Sequence, residues 1–218
     1  MRFRLALALL SLLAFAAASQ QSGRKAKQWE PSEPSTLHAP ALAFGSELDK
    51  NTSESFRDWA GPYAKKDLRA KPLDPQGTTA LVDQRFPQAS EEARDAVIFL
   101  LYYLAYKEED FEQRMLASRL RDIDRETTEI TRQLQVIWKN EQNRSASPMQ
   151  GLSQEQRMAI DEDIQRKESQ LRELADERQL KSGQFAASRM KVGTFLKLLA
   201  AVHPRMSGVE PIVLHSVR

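Results

Sequence analysis

The histidines and the acidic runs are the residues of this chain whose types could bind a metal ion or transfer a proton. The three histidines are His38, His203 and His215, and the last two are close enough along the chain to meet. No metal-binding spacing such as HExxH accompanies them, and a histidine after a helix also interacts favourably with the helix dipole. The acidic runs 107–110 and 161–163 lack the alternating oxygen ligands and central glycine of a calcium loop. We therefore expect no metal, no cofactor and no small-molecule substrate.

Catalytic motifs are also missing from the sequence. It contains no GxSxG nucleophile turn, no glycine-rich phosphate loop and no cysteine. Without cysteine there are no disulfides and no thiolate metal sites, so the fold must be held together by packing. The prediction is that the protein is not an enzyme. The alternative is an enzyme whose site lies at the hydrophobic base described below.

A cluster of aromatic residues lies in segment 96–111, whose apolar first part runs directly into charged residues. Aromatic residues of this type are common in the centres of protein interfaces, because they offer apolar area and, in tyrosine, a polar group. The same residues pack equally well in the core of one chain. The candidate partner-binding residues here and in a second apolar segment, 195–202, are Phe99, Tyr102, Tyr103, Tyr106 and Phe195.

The element that must position the first cluster is a long helix. Ser90 is suited to cap its start, and neither proline nor glycine occurs from there to about residue 144. As one helix these roughly 54 residues would be about 80 Å long, which is more typical of a coiled coil than of a globular helix. A stripe with the 4, 3, 4, 3 spacing of a heptad repeat supports this prediction. It consists of Leu116, Leu120, Ile123, Thr127, Ile130, Leu134 and Ile137.

A second helix follows a proline- and glycine-containing break at residues 145–152. Ser153 and Gln156 match the capping-box pattern that predicts its start, and Pro204 predicts its end. The sequence leaves open whether Gly183 interrupts it. The same heptad spacing recurs at Ile160, Ile164, Lys167, Leu171 and Leu174.

Folding the chain back at residues 145–152 predicts an antiparallel hairpin that places residue 98 opposite about residue 198. The apolar segments 96–106 and 195–202 then lie side by side and need further neighbours, because each is apolar on several faces. Candidates are the aromatic pieces between residues 56 and 86, the C-terminal tail and a second copy of the protein. The predicted fold is all-α: a long antiparallel two-helix coiled-coil hairpin with a small hydrophobic base, completed by N-terminal pieces and the C-terminal tail.

The tip of this hairpin is a second candidate contact point. Met149 and Leu152 are apolar residues on a tight turn, which the hairpin would present at its far end. A stiff arm of this kind would bring its tip or its flank to a partner at a distance from the base.

The first residues have the layout of a secretory signal peptide. Arg2 and Arg4 precede an apolar stretch too short to span a bilayer comfortably, and residues 16–18 offer a cleavage pattern. The sequence predicts a signal peptide over 1–19, a flexible linker over 20–55 and a segment over 56–88 that docks on the base. The hairpin then occupies 89–204, with helices over about 90–144 and 153–203. A tail over 205–218 also docks on the base. We expect export to a bacterial periplasm or the cell exterior, with a retained membrane anchor as the alternative.

The charge of the chain excludes one class of partner. It has 32 basic and 30 acidic residues, and removal of Arg2 and Arg4 with the signal peptide leaves 30 of each. A neutral protein lacks the concentrated basic footprint that nucleic-acid binding requires. We expect instead a protein partner, or self-association through the hydrophobic base, with peripheral membrane contact as an alternative. The predicted function is that of an assembly or partner-binding component of a bacterial cell envelope.

The layout resembles that of periplasmic chaperones whose helical arms hold unfolded outer-membrane proteins, which implies a holdase as the alternative function. Those chaperones are strongly basic and built on a small β body, and this chain departs from both features. It also resembles, distantly, the hairpins of efflux-pump adaptor subunits, which are flanked by β-rich domains. Both resemblances are architectural and cover the hairpin.

Overall fold

The computed structural model describes residues 36–69, 74–145 and 152–206, which lie within one compact unit. Within these ranges the regular structure is helical and no strand is present. The α-helices are α1 (Ala39–Lys50), α2 (Glu54–Tyr63), α3 (Pro75–Arg85), α4 (Glu91–Ser145) and α5 (Gln154–Val202). A π-helical turn, Ala64–Leu68, continues α2, and a 3₁₀ turn, His203–Met206, follows α5.

The two long helices, α4 and α5, begin and end within one residue of the predicted limits. The Oγ of Ser90 accepts a hydrogen bond from the backbone N–H of Ala93 at 3.2 Å, which caps the start of α4. Ser153 and Gln156 form the reciprocal capping box at the start of α5. Gly183 lies inside α5, so this glycine does not interrupt the second helix.

Side-chain contacts show that α4 and α5 pack closely in opposite directions. Ser188 donates to the backbone carbonyl of Glu109, and farther along the pair Lys167 donates to Gln133 at 2.8 Å. As the residue number rises along α4, the number of its partner on α5 therefore falls. The two helices form an antiparallel hairpin, and the part of it beyond residue 109 of α4 is called the arm below.

Burial along the arm decreases toward its tip. In the predicted stripe of α4, Leu120, Ile123 and Leu134 are buried, whereas Thr127, Ile130 and Ile137 are half-buried. On α5, Leu174 is buried, and the stripe residues nearer the tip are half-buried. A pair of helices covers one face of each, so the other faces of the arm remain exposed.

The base is the opposite end of the hairpin, where α4 is enclosed. Residues 96–103, 105 and 106 of α4 are all buried. Burial on every face requires several neighbours, and α1, α2, the π-helical turn, α3 and α5 all contact α4. The buried apolar residues that these elements contribute are Ala41, Leu48, Phe56, Ala60, Ala64, Leu68, Val82, Val192, Phe195, Leu196 and Leu199.

Helix α1 differs from the flexible linker predicted over residues 20–55. Ala41, Gly45 and Leu48 are spaced like one face of a helix, and all three are buried. With one alanine, one glycine and one leucine on its buried face, α1 carries a weak apolar signal. Contact with α4 and α5, rather than intrinsic helix propensity, stabilises this helix.

Several predicted segments lie outside the described residues. These are the signal peptide over 1–19, the first part of the linker, the tip residues 146–151 and residues 207–218 of the tail. The docking of the C-terminal tail on the base stays a prediction.

Candidate functional site

The aromatic residues singled out in the sequence lie in the core of the base. Phe99 is fully buried, and its ring meets that of Phe44 in α1 edge to face, with centroids 5.3 Å apart. The His203 ring lies 6.2 Å from Phe99 and 5.7 Å from Phe44, so this histidine belongs to the same aromatic group. Phe195, on α5, is also buried. These contacts place both phenylalanines inside the chain's own packing.

Burial changes the pKa of Tyr102 and Tyr106. Burial raises the pKa of Tyr106 to about 12, with a further contribution from the nearby negative charge of Asp110. Burial also raises the pKa of Tyr102, against the effect of its hydrogen bond with Thr78 of α3. Both shifts show that these phenols are withdrawn from water.

Tyr103 is covered by the glycine of α1. A Cβ atom at Gly45 would lie 2.6 Å from Cγ of Tyr103, so a side chain larger than hydrogen would displace the ring. Lys107 lies 5.7 Å above the same ring and forms an ion pair with Asp49 at 2.7 Å. A partner could reach Tyr103 only if α1 moved away.

A charged group fastens the N-terminal elements to the root of the arm. The Arg69 guanidinium pairs with Glu109 at 2.9 Å, and the side chain of Glu109 is only 3% exposed. Arg69 also contacts Glu112, and its carbonyl accepts a hydrogen bond from Lys191 of α5 at 2.9 Å. A buried carboxylate requires such a partner, because an unpaired buried charge is strongly destabilising. The sequence analysis did not anticipate this group, since Arg69 lies 40 residues before Glu109.

The arm carries ion pairs of a more exposed kind. Arg119 donates two hydrogen bonds to the carboxylate of Glu177, both at 2.8 Å, and a third to Glu126 at 2.9 Å. The hydrogen bond from Arg119 lowers the pKa of Glu177. Such a bidentate contact joins α4 to α5 and fixes their relative position more than it stabilises them, since both side chains are about one-third exposed.

Large apolar side chains are exposed on the arm. They are Phe111, Met115, Val136, Met158 and Leu180, with exposed fractions from 49% to 65%. Met190, which is 76% exposed, lies on α5 just before the arm begins. At the predicted tip, Leu152 is half-buried, and Met149 lies outside the described residues. Val136, Met158 and Leu180 lie outside the heptad stripes that the sequence predicts, whereas Phe111 and Met115 follow a similar spacing upstream and are nevertheless exposed.

The described residues contain neither a metal-binding cluster nor a membrane-spanning helix. In the ranges 36–69, 74–145 and 152–206, no group of three or more His, Cys, Asp or Glu side chains could hold a metal ion. None of the helices in these ranges combines the length and apolarity needed to cross a membrane.

Comparison with known proteins adds no identification. No protein-family model, curated protein or solved structure matches the chain.

Proposed function

We propose that this chain is an exported, non-enzymatic component of a bacterial cell envelope, and that its arm binds other proteins during assembly. The observation that carries the proposal is the contrast in exposure between the two ends of the hairpin. The aromatic residues of the base are buried by the chain's own helices, whereas the arm exposes large apolar side chains. Isolated exposed apolar residues are common, but several on one slender element favour an interaction surface.

We infer further that α4 and α5 pack as a coiled coil in the arm. The heptad spacing of both helices and the burial of Leu120, Ile123 and Leu134 support this packing. A coiled coil is stiff along its length, so it would hold a contact surface at a constant distance from the base. Over the 36 residues from 110 to 145, the arm extends about 54 Å.

Export is proposed from the first 19 residues, whose pattern is that of a cleavable signal peptide. An envelope location also fits the absence of cysteine, because the fold needs no particular redox environment.

The experiment that tests the proposal is photocrosslinking in intact cells. A photoreactive residue replaces Met158 on the arm, which is 56% exposed, and in a control variant it replaces Leu37 beside the base, which is 85% exposed. We expect discrete crosslinked products from position 158 in the envelope fraction and none from position 37.

Three outcomes would overturn the proposal. Absence of products at position 158 would remove the arm as a binding surface. Products confined to position 37 would move the function to the base. A continuous smear of products of many sizes at position 158 would instead indicate a holdase that binds many unfolded clients.

A further inference from the structure

One face of α5 has the spacing of a helix-packing stripe but packs against no described element. Seven residues separated by 3 or 4 positions line this face, and all of them are exposed. We call this set the outer stripe: Leu180, Gly183, Ala187, Met190, Thr194, Lys197 and Ala201. The side of α5 that packs on α4 is a different one, marked by the buried residues Leu174, Phe185, Val192 and Leu199.

The N-terminal helices leave the outer stripe uncovered because they pack on the other long helix. Among the described elements, α1, α2, the π-helical turn and α3 contact α4, and of these α1 alone makes appreciable contact with α5. Leu180 is 60% exposed and Met190 is 76% exposed. Lys197 is the single charged residue of the outer stripe, whereas the other exposed surfaces of α4 and α5 are densely charged.

The charge of α5 changes sign along its length. Residues 154–177 contain eight acidic and four basic residues, a net charge of −4, whereas residues 178–202 contain five basic and no acidic residues. Some of these charges are already paired within the hairpin: Arg178 pairs with Asp124, and Glu177 pairs with Arg119. Glu162 and Lys197 are both exposed, and they lie on opposite sides of Leu180 along the helix.

A second copy of α5 running in the opposite direction matches this pattern. With Leu180 on a two-fold axis, residues 158–176 of one copy lie against residues 184–202 of the other. The acidic half of each helix then faces the basic half of its partner, and Glu162 lies near Lys197 of the second copy. A parallel arrangement would place like charges together, which is unfavourable. The contact would extend over about 65 Å of helix. The two outer stripes meet at Leu180, and the rest of each stripe faces residues 159–177 of the other copy, so both copies contribute the same surface, as a two-fold interface requires.

We infer that the outer stripe of α5 is a dimerisation surface on which a second copy of this chain docks antiparallel. The inference rests on the proposed assembly function and deepens it by naming a partner and a surface. It also moves self-association from the hydrophobic base, where the sequence analysis expected it, to the outward face of the second long helix.

Cysteine crosslinking tests the register, because the chain has no cysteine of its own. A single Leu180→Cys substitution places two thiols at the two-fold axis, so mild oxidation of the purified full chain should produce a disulfide-linked dimer. The matched control is Met115→Cys, which is 56% exposed on α4 and should stay monomeric. Equal crosslinking of the two variants, or none from Leu180→Cys, would overturn the proposed surface.

A charge exchange tests the direction of packing. Lys197→Glu should raise the dimer dissociation constant about tenfold or more, because two symmetry-related ion pairs become repulsive contacts. Adding Glu162→Lys to this variant should restore the dissociation constant to within about threefold of the original. Sedimentation of each variant provides the measurement, and circular dichroism checks that the helices are intact. A double variant as weak as Lys197→Glu alone would contradict the antiparallel pairing.

The two proposals fail in distinguishable ways. A chain that stays monomeric, yet gives products with another protein from position 158 in cells, would overturn the dimer and leave the proposed function in place. A Leu180→Cys dimer in a chain whose position 158 gives products only with a second copy of itself, and none with another protein, would overturn the proposed function instead.

Discussion

The base and the arm are built from the same two helices, yet they are stabilised in different ways. At the base, residues 96–106 of α4 are buried on nearly every face by several neighbouring elements. In the arm, each helix has one neighbour among the described elements and buries one stripe against it. The abrupt change from apolar to charged residues within segment 96–111 follows from this change in the number of neighbours. A single straight helix can therefore belong to two different packing environments.

The same comparison holds for charged residues. Arg69 and Glu109 at the root of the arm are largely withdrawn from water, whereas Arg119 and Glu177 remain about one-third exposed. An ion pair that is removed from water loses its solvation, so each partner depends on the other. In the arm, water screens the charges and either partner can be lost with a smaller effect.

The largest expected effect is a difference in stability loss between core substitutions at the base and in the arm. Phe99→Ala removes a fully buried ring from the base and should lower the free energy of unfolding by about 4 kcal/mol. Leu134→Ala, in the arm, should cost about 2 kcal/mol, because the thin two-helix layer can partly close the cavity. Urea unfolding monitored by circular dichroism measures both. Equal losses would show that the arm is packed as rigidly as the base.

The ion pairs sharpen the comparison with a smaller effect. Arg69→Met leaves the buried Glu109 carboxylate without its partner and should destabilise the protein by about 3 kcal/mol. Arg119→Met should cost about 1 kcal/mol or less, since its partners are exposed. The measurement is again the free energy of unfolding. A double variant, Arg69→Met with Glu109→Gln, should recover part of the loss, and failure to do so would contradict the role given to the buried charge.

Replacing Gly45 and Gly183 by alanine should change the stability of the protein in opposite directions. Gly45→Ala at the base places a Cβ against the Tyr103 ring and should destabilise the protein by about 1–2 kcal/mol. At Gly183 in α5, a Cβ meets nothing within 4 Å, so Gly183→Ala should stabilise the helix by about 0.5–1 kcal/mol. Thermal unfolding of the two single variants decides the matter. A stabilising Gly45→Ala would show that α1 moves easily away from α4.

The smallest expected effects are changes in folding stability at low and at high pH. Hydrogen bonds from Arg132 and Gln133 lower the pKa of Glu129 from 4.5 to about 2, so its contribution in the arm is present above pH 4.5 and is lost as the pH falls toward 2. Burial raises the pKa of Tyr106 from 10.0 to about 12, so the unfolded chain ionises first and stability is lost as the pH rises from 10 to 12.

The urea midpoint measured across pH tests both ends. We expect Glu129→Gln to flatten the acidic limb and Tyr106→Phe to flatten the alkaline limb. An unchanged alkaline limb in Tyr106→Phe would show that the buried phenol does not control it.

The hairpin was accessible to sequence analysis because its signals are local. Ser90, Ser153 and Gln156 act on the first turn of their own helices, and the heptad stripes are periodic over many residues. The candidate surface was less accessible. From the sequence alone, the aromatic cluster fits an interface and a core equally well, because the apolar ring and the polar hydroxyl of tyrosine suit both environments.

By itself, the sequence determined the two long helices, their ends and their reversal, since capping, proline placement and periodicity depend on neighbours within a few residues. The tertiary structure decided that Tyr102 and Tyr106 are covered from within, that residues 39–50 form a helix and that Arg69 meets Glu109. Each of these outcomes depends on contacts between residues far apart in the chain, and such contacts leave no periodic trace in the sequence.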